Sequence, residues 1–223
     1  LTNLLETLED WTRALDEGYG IDVVYLDYRK AFDTVPHKRL LKRLRQCVFE
    51  GKILDWIEDF LCLRKTRVSV RGLYSIWRKM LSGVPQGSVL GPLLFLIFIC
   101  ELPDWIKCNM KMFADDTKVW KRIGAVEDGE ELQRDLDTMM EWSDEWLLRF
   151  NLEKCKVMHV GHQFDTVYSL EGSNGKQLLE TISKERDLGV ICTRDLKAAS
   201  QCVKAAAKAH SVTGLVRRHF KRL

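Results

Sequence analysis

Two adjacent carboxylates, Asp115 and Asp116, stand in "KMFADDTKVW" between two segments of strand character, and a third, Asp27, closes the β-branched and aromatic run "IDVVYLD". An Asp pair in a turn ordinarily does no more than bond nearby backbone. A third carboxylate brought to the same place changes the chemistry. Three such groups cannot all stay ionised without a counter-charge, and their pKa values rise unless a divalent metal neutralises them. Oxygen donors with no His or Cys beside them favour magnesium or manganese over zinc. His37, His159 and His162 lack metal-ligand spacing and are expected to be structural or exposed. The seven cysteines are odd in number and show no zinc-type spacing, a pattern of reducing, intracellular compartments, either nucleus or cytoplasm.

The elements that must position these carboxylates can be read from periodicity. "LTNLLETLEDWTRALDEG" places Leu1, Leu4, Leu5, Leu8, Trp11 and Leu15 at helical intervals and closes on Gly18. After the strand ending at Asp27, helical spacing resumes past Pro36 in "HKRLLKRLRQC" and again in "KILDWIEDFLC". "TRVSVRG" and "SIWRKM" alternate as a hairpin around Gly72 to Tyr74. "LSGVPQGSVLGP" is a glycine- and proline-punctuated loop feeding a buried helix that ends near Leu102. That apolar run is too short to span a bilayer, so no membrane is expected. The second Asp-bearing hairpin follows, then a long helix with Leu132, Leu136, Met139, Trp142, Trp146 and Phe150 facing inward. Short strands at "KCKVMHVG", "TVYSLEG" and "DLGVICT" precede a basic helical tail from Asp195. This order suits an α+β fold, an antiparallel sheet with helices on one face, in which the strand end at Asp27 lies beside the turn at Asp115 and Asp116.

At 223 residues and 46% hydrophobic content the chain can bury a sizeable core. Its net charge of +3 says less than the distribution of that charge. Residues 61–100 carry Arg64, Lys65, Arg67, Arg71, Arg78 and Lys79 with no acid, and residues 196–223 are likewise basic, from Lys197 to Arg222. Between them, acids dominate from Glu127 to Glu145, where Arg134 is the one basic residue. Solvated helix faces would explain any single run. Segregation of this kind also suits a protein that turns a basic side toward a polyanion.

Five segments in order, "VVYLDYRKAFDTVPHKRLLKRL", "GVPQGSVLGPLLFLIFI", "KMFADDTKVW", "FNLEKCKVMHVG" and "RDLGVICTRDLK", resemble the consecutive palm motifs of reverse transcriptases, most closely those of non-LTR, LINE-type retrotransposons of the jockey and chicken-repeat kind. The resemblance covers nearly the whole chain. It implies RNA-directed DNA polymerisation: Asp27 and Asp115, assisted by Asp116, would hold two magnesium (or manganese) ions roughly 3.5–4 Å apart that activate a primer 3′-hydroxyl and the leaving pyrophosphate. The family pattern assigns the Tyr28 backbone carbonyl to the metal shell and Phe32 to the place where a bulky ring excludes a ribose 2′-hydroxyl. Gln86 and Gly87 fall in the loop beside nucleotide and template, where glycine admits backbone close to the ligand and the amide can bond it. Lys154 falls where a lysine would protonate the departing pyrophosphate. The implied partners are an RNA template, a DNA primer and deoxynucleoside triphosphates.

The sequence departs from the family at its edges. Only 26 residues precede Asp27, where relatives carry a fingers region with cations that grip the triphosphate, and the thumb is only begun by "AHSVTGLVRRHF". The expected organisation is a palm with partial fingers over residues 1–193 and the basic helical start of a thumb over 194–223. A reverse-transcriptase-like chain that binds nucleic acid without catalysis, decayed or domesticated, is the alternative to a polymerase.

Overall fold

The computed structural model describes residues 2–47, 49–162, 164–172 and 175–220. Leu1 of the first helical face and Lys221 and Arg222 of the basic tail lie outside the described residues.

The chain runs α1 (Thr2–Asp16), β1 (Gly20–Leu26), the short α2 (Ala31–Thr34), α3 (His37–Gln46) and α4 (Lys52–Cys62), then β2 (Lys65–Thr66), β3 (Ser69–Val70), β4 (Leu73–Tyr74) and β5 (Arg78–Lys79). It continues with α5 (Leu90–Ile99), β6 (Asn109–Phe113), β7 (Asp116–Ile123), the long α6 (Val126–Trp146) and β8 (Lys156–Val160). The last part holds β9 (Ser169–Gly172), β10 (Gly175–Leu178), β11 (Glu180–Thr181), β12 (Lys184–Asp187), β13 (Val190–Thr193) and α7 (Ala199–His219).

Five strands form the main sheet in the order β11-β8-β1-β7-β6. β1 is central and pairs antiparallel with β7 and β8, β6 pairs antiparallel with β7, and only β11 joins β8 in parallel. A central strand is covered on both faces, and the apolar residues of β1 divide alternately between two cores. Val24 and Leu26 join the larger cluster, with α3, α4, α5 and α6. Ile21 and Val23 join a smaller one with Leu4, Trp11 and Ala14 of α1 and Trp120 of β7. The helical layer expected from the sequence is therefore present on one face, and the other carries α1, with Trp11 edge-on to Trp120 at 6.1 Å.

Leu132, Leu136, Met139, Trp142 and Trp146 are buried on the acidic helix α6 as expected; Phe150 is buried too, but not on the helix, which ends at Trp146, and it bridges Tyr28 instead. One acid of that block is buried as well: Asp135 Oδ2 accepts the backbone N–H groups of Lys107 (2.9 Å) and Cys108 (2.6 Å), tying α6 to the start of β6. On α1 the buried stripe is Leu4, Thr7, Trp11 and Ala14, and Leu5 faces solvent, because the helix presents the i, i+3, i+7, i+10 row rather than its leucines. The first hairpin turns at Arg71 and Gly72, both with positive φ, slightly earlier than the alternation suggests. Among the described residues no helix is long and apolar enough to cross a membrane. α7 has no buried residue.

Candidate active site

The register of the three central strands decides where the carboxylates go. Leu26 lies opposite Thr117, and Phe113 opposite Asp116, so Asp27 emerges from β1 beside the start of β7. Ala114 and Asp115 make the connection between β6 and β7, with Ala114 at φ 54°. Left-handed backbone disfavours any residue with a Cβ, so the turn that presents Asp115 is strained at its neighbour. Past Asp27 the strand is pinned from outside the sheet: Asn151 N–H donates to the Asp27 carbonyl (2.7 Å) and Arg29 N–H to the Arg149 carbonyl (2.7 Å). Neither bond uses the Tyr28 carbonyl. The Tyr28 ring is buried and stacks on Phe150 at 4.6 Å.

Asp27 and Asp116 line a cleft of about 370 Å³ together with Phe113, Lys118, Lys154 and Asp187. Lys154 Nζ stands 3.4 Å from Asp27 Oδ2, so the lysine and the aspartate singled out by the resemblance come together although 127 residues separate them in sequence. The Asp116 carboxyl is held above its ordinary pKa, first by desolvation and then by the negative charges of Asp115, Asp187 and Asp27, with Lys118 opposing. That is the electrostatic signature of carboxylates gathered at one place without enough positive charge among them. Among the described residues the three do not bring their oxygens within 4.8 Å of one another as a set; the cleft is open, and its ligands are spaced apart.

The second part of the site is built from the turn after β1. Phe32 is half-buried, stacked on Phe95 of α5 at 4.7 Å, and its carbonyl accepts the Val84 N–H at 2.7 Å. Gly83 N–H donates to Val35 O, and Gln86 Nε2 reaches Asp33 Oδ1 at 3.2 Å. The loop "VPQGS" is thus laid directly along the residues that follow Asp27. A Cβ at Gly87 would meet nothing within 4 Å; the glycine serves the φ of 78° there, and the space over it is open. His37 is buried and bonds the Gly83 carbonyl at 2.9 Å, a structural role, as expected.

Two buried groups escaped the sequence reading. Lys118 and Asp187 form an ion pair with both side chains about 5–6% exposed, fixing β12 against β7 at the floor of the cleft. Alternation along β7 could have put Lys118 on an inward face, but its partner lies 69 residues away. The other is Asp22, wholly buried in the middle of β1. His159 Nδ1 (2.5 Å) and His162 Nε2 (2.7 Å) approach one oxygen, and the hydroxyls of Thr166 and Tyr168 (both 2.6 Å) donate to the other. Burial alone would raise its pKa, but the four donors outweigh that and hold it far below the usual carboxylate range. These ligand atoms lie within 4.8 Å of one another, although the histidines lack metal-type spacing in sequence, since the third member comes from 137 residues earlier. His162 Nδ1 accepts the Phe164 N–H at 3.1 Å, which leaves the ring proton on the Nε2 that faces Asp22. The cluster is a satisfied hydrogen-bond network. Gly20 makes room for it, because a Cβ there would sit 2.2 Å from the His162 ring.

The family described as reverse transcriptase (RNA-dependent DNA polymerase) matches this sequence over residues 8–211. The chain belongs to the reverse transcriptase family. It is 34% identical over 200 residues to a probable RNA-directed DNA polymerase from transposon BS of Drosophila melanogaster, covering 82% of this chain and 21% of that protein. It is 37% identical over 142 residues to the RNA-directed DNA polymerase from mobile element jockey of the same organism, covering 59% of this chain and 15% of that one. The chain thus spans about a fifth or less of the length of these curated relatives. In fold it is similar to apo telomerase from Candida tropicalis, with a TM-score of 0.61 at 11% identity over 88% of this chain and 40% of that one. The reverse transcriptase palm expected from the five motifs is therefore the architecture found, with Asp27 and the Asp115–Asp116 turn adjacent in it.

Proposed function

We propose that this reverse transcriptase chain is the catalytic palm of an RNA-directed DNA polymerase, adding deoxynucleotides to a primer 3′-hydroxyl on an RNA template. The observation that carries the reading is the register that sets Asp27 beside Asp116 in one cleft, with a raised Asp116 pKa. The donor set suits magnesium: hard carboxylate oxygens, an excess of negative charge, and a Tyr28 carbonyl that the pinning bonds leave unused. Two divalent ions held by Asp27, Asp115, Asp116 and that carbonyl would supply Lewis acidity to the attacking hydroxyl and the departing phosphates.

The protein's own residues do the rest. In nucleotidyl transfer the primer 3′-hydroxyl loses its proton to water, its oxygen forms a bond to the α-phosphorus as the bond from that phosphorus to the bridging oxygen breaks, and pyrophosphate leaves needing a proton. Lys154, exposed and 3.4 Å from Asp27, would donate it. Phe32, backed by Phe95 and held through its carbonyl by Val84, is stiff enough to exclude a 2′-hydroxyl. The Gln86 side chain, borrowed by Asp33 here, can turn to the nucleotide across the open space at Gly87.

The test is magnesium-dependent primer extension on an RNA template, by this chain and by a version extended at both ends to the length of its relatives. In whichever version polymerises, Asp115→Asn should remove the several kcal/mol of stabilisation that a metal site provides, a loss beyond about a hundredfold, with circular dichroism unchanged. Extension retained at a tenth or more of the parent rate would take Asp115 out of the mechanism.

A further inference from the structure

The floor of the cleft is charged. Lys118 and Asp187 line it beside Asp27 and Asp116 and pair with each other, both side chains almost wholly buried. β7 carries Asp116 and Lys118 two residues apart, so both belong to one face of the sheet, with Cα atoms about 7 Å apart by strand rise. Across the sheet Tyr25 lies opposite Lys118, and Asp27 follows it on the same face. Asp187 is the last residue of β12, set at a two-residue turn in which Leu188 and Gly189 both have positive φ before Val190 pairs back. Among the described residues that hairpin makes no ladder with the main sheet, and Leu188 and Val190 pack against the smaller core. Apolar contacts therefore already dock the hairpin, and a buried ion pair adds little to them, since desolvation offsets most of the attraction. The place of the pair matters more than its strength. The negative charge of Asp187 is felt at Asp116 ahead of that of Asp27, and Lys118 opposes it there.

We infer that Lys118 and Asp187 are positioning residues for the cation site: by pairing with Asp187, Lys118 withholds a fourth carboxylate from Asp27, Asp115 and Asp116, and so fixes the charge that a divalent ion meets there. The inference rests on the proposed function for the identity of that site. Hard cations are bound and selected by the number and charge of the oxygens that reach them. With Lys118 removed, an unpaired Asp187 adds one negative charge to the cleft. With Asp187 removed, Lys118 keeps its charge, loses its partner and stands as a competing cation beside Asp116. Opposite effects on cation binding from the two halves of one pair are what a charge-setting role requires. A purely structural pair gives no such opposition, because breaking it from either side destabilises the fold alike.

The experiment measures manganese binding to this chain by the electron paramagnetic resonance of the free ion, with magnesium as competitor and the melting temperature recorded alongside. Lys118→Met should bind manganese about fivefold or more tightly than the parent, and Asp187→Asn about threefold or more weakly. Lys118→Met combined with Asp187→Asn, which restores the parent's net charge, should return to within about twofold of it. If Lys118→Met alone does not fold, the double variant compared with Asp187→Asn reads the same cation with the carboxylate absent, and should bind manganese about threefold or more tightly. Manganese affinity that is unchanged in the single variants, or lowered in both while the melting temperature falls, would overturn the inference. Asp115→Asn separates the two claims. If it removes manganese binding while the pair variants change nothing, the cation site stands and the inference falls; if it leaves binding as in the parent, the proposed function falls.

Discussion

Asp22 and Asp27 sit on the same strand, about 16 Å apart by strand rise, and illustrate opposite uses of one side chain. Asp22 is sealed between the sheet and the 159–168 segment, every lone-pair direction met by a donor, and its charge is stabilised so strongly that its pKa falls despite complete burial. At the other end Asp27 is open, faced by a single lysine at 3.4 Å, and its neighbour Asp116 is pushed the other way by desolvation and by the carboxylates around it. A structural carboxylate is surrounded by donors until nothing more can bind. A catalytic one is left short of positive charge, so that a substrate complex can supply it. On the proposed function the same strand supplies an anchor at its middle and a reactive end, and the anchor ties β1 to His159 of β8 and to His162, Thr166 and Tyr168 beyond it.

If that contrast is right, the largest stability effect belongs to the residue with no part in chemistry. Asp22→Asn should cost ~3–5 kcal/mol in urea unfolding at neutral pH, because two imidazoles and two hydroxyls lose a charged acceptor in a buried place. The pH dependence has a fixed sign. Asp22 has a lowered folded pKa, so its stabilisation is complete above the unfolded value of about 4 and is lost as pH falls further toward the folded one. The gap between parent and variant should therefore narrow below about pH 4. A constant gap would mean the charge of Asp22 is not what stabilises.

Phe32 tests the boundary between the two kinds of residue. It is half-buried against Phe95, so Phe32→Ala should cost less than the ~3–5 kcal/mol of a full core truncation. In a polymerising protein it should also raise ribonucleotide use relative to deoxynucleotide use by about tenfold or more, the effect of one bulky group in a pocket. Lost stability with unchanged sugar selectivity would make Phe32 a core residue only.

The smallest effect is at the turn that presents Asp115. Ala114→Gly should relieve ~1–2 kcal/mol of left-handed strain against ~0.5–1 kcal/mol of added backbone entropy, a net gain of about 0.5–1 kcal/mol in thermal unfolding. A loss instead would show that the Ala114 methyl, and not the backbone angle, is what the turn uses.

What could be read from the sequence follows the range of the interactions involved. The inward face of α6, the strand ending at Asp27 and the turn at Asp115 and Asp116 are all local patterns, and each stands where periodicity placed it. Lys154 could be tied to Asp27 only through the family resemblance, because 127 residues separate them. β10 and β12 carry mostly polar residues on exposed edges and gave no alternation to read. The Lys118–Asp187 pair and the Asp22 network were invisible for a different reason: each joins residues far apart, and His159 and His162 look unremarkable until the register of β1 with β8 puts Asp22 opposite His159.

The central claim, that the open end of β1 and not its sealed middle is the metal-binding, catalytic end, can be tested on this chain by manganese titration followed by paramagnetic broadening of its amide NMR signals. Broadening should begin at residues 27, 115, 116 and 154 and be abolished by Asp115→Asn, while the signals of Asp22, His159 and His162 persist to higher manganese. Broadening that begins at Asp22 and the two histidines, or that is the same in Asp115→Asn as in the parent, would contradict it.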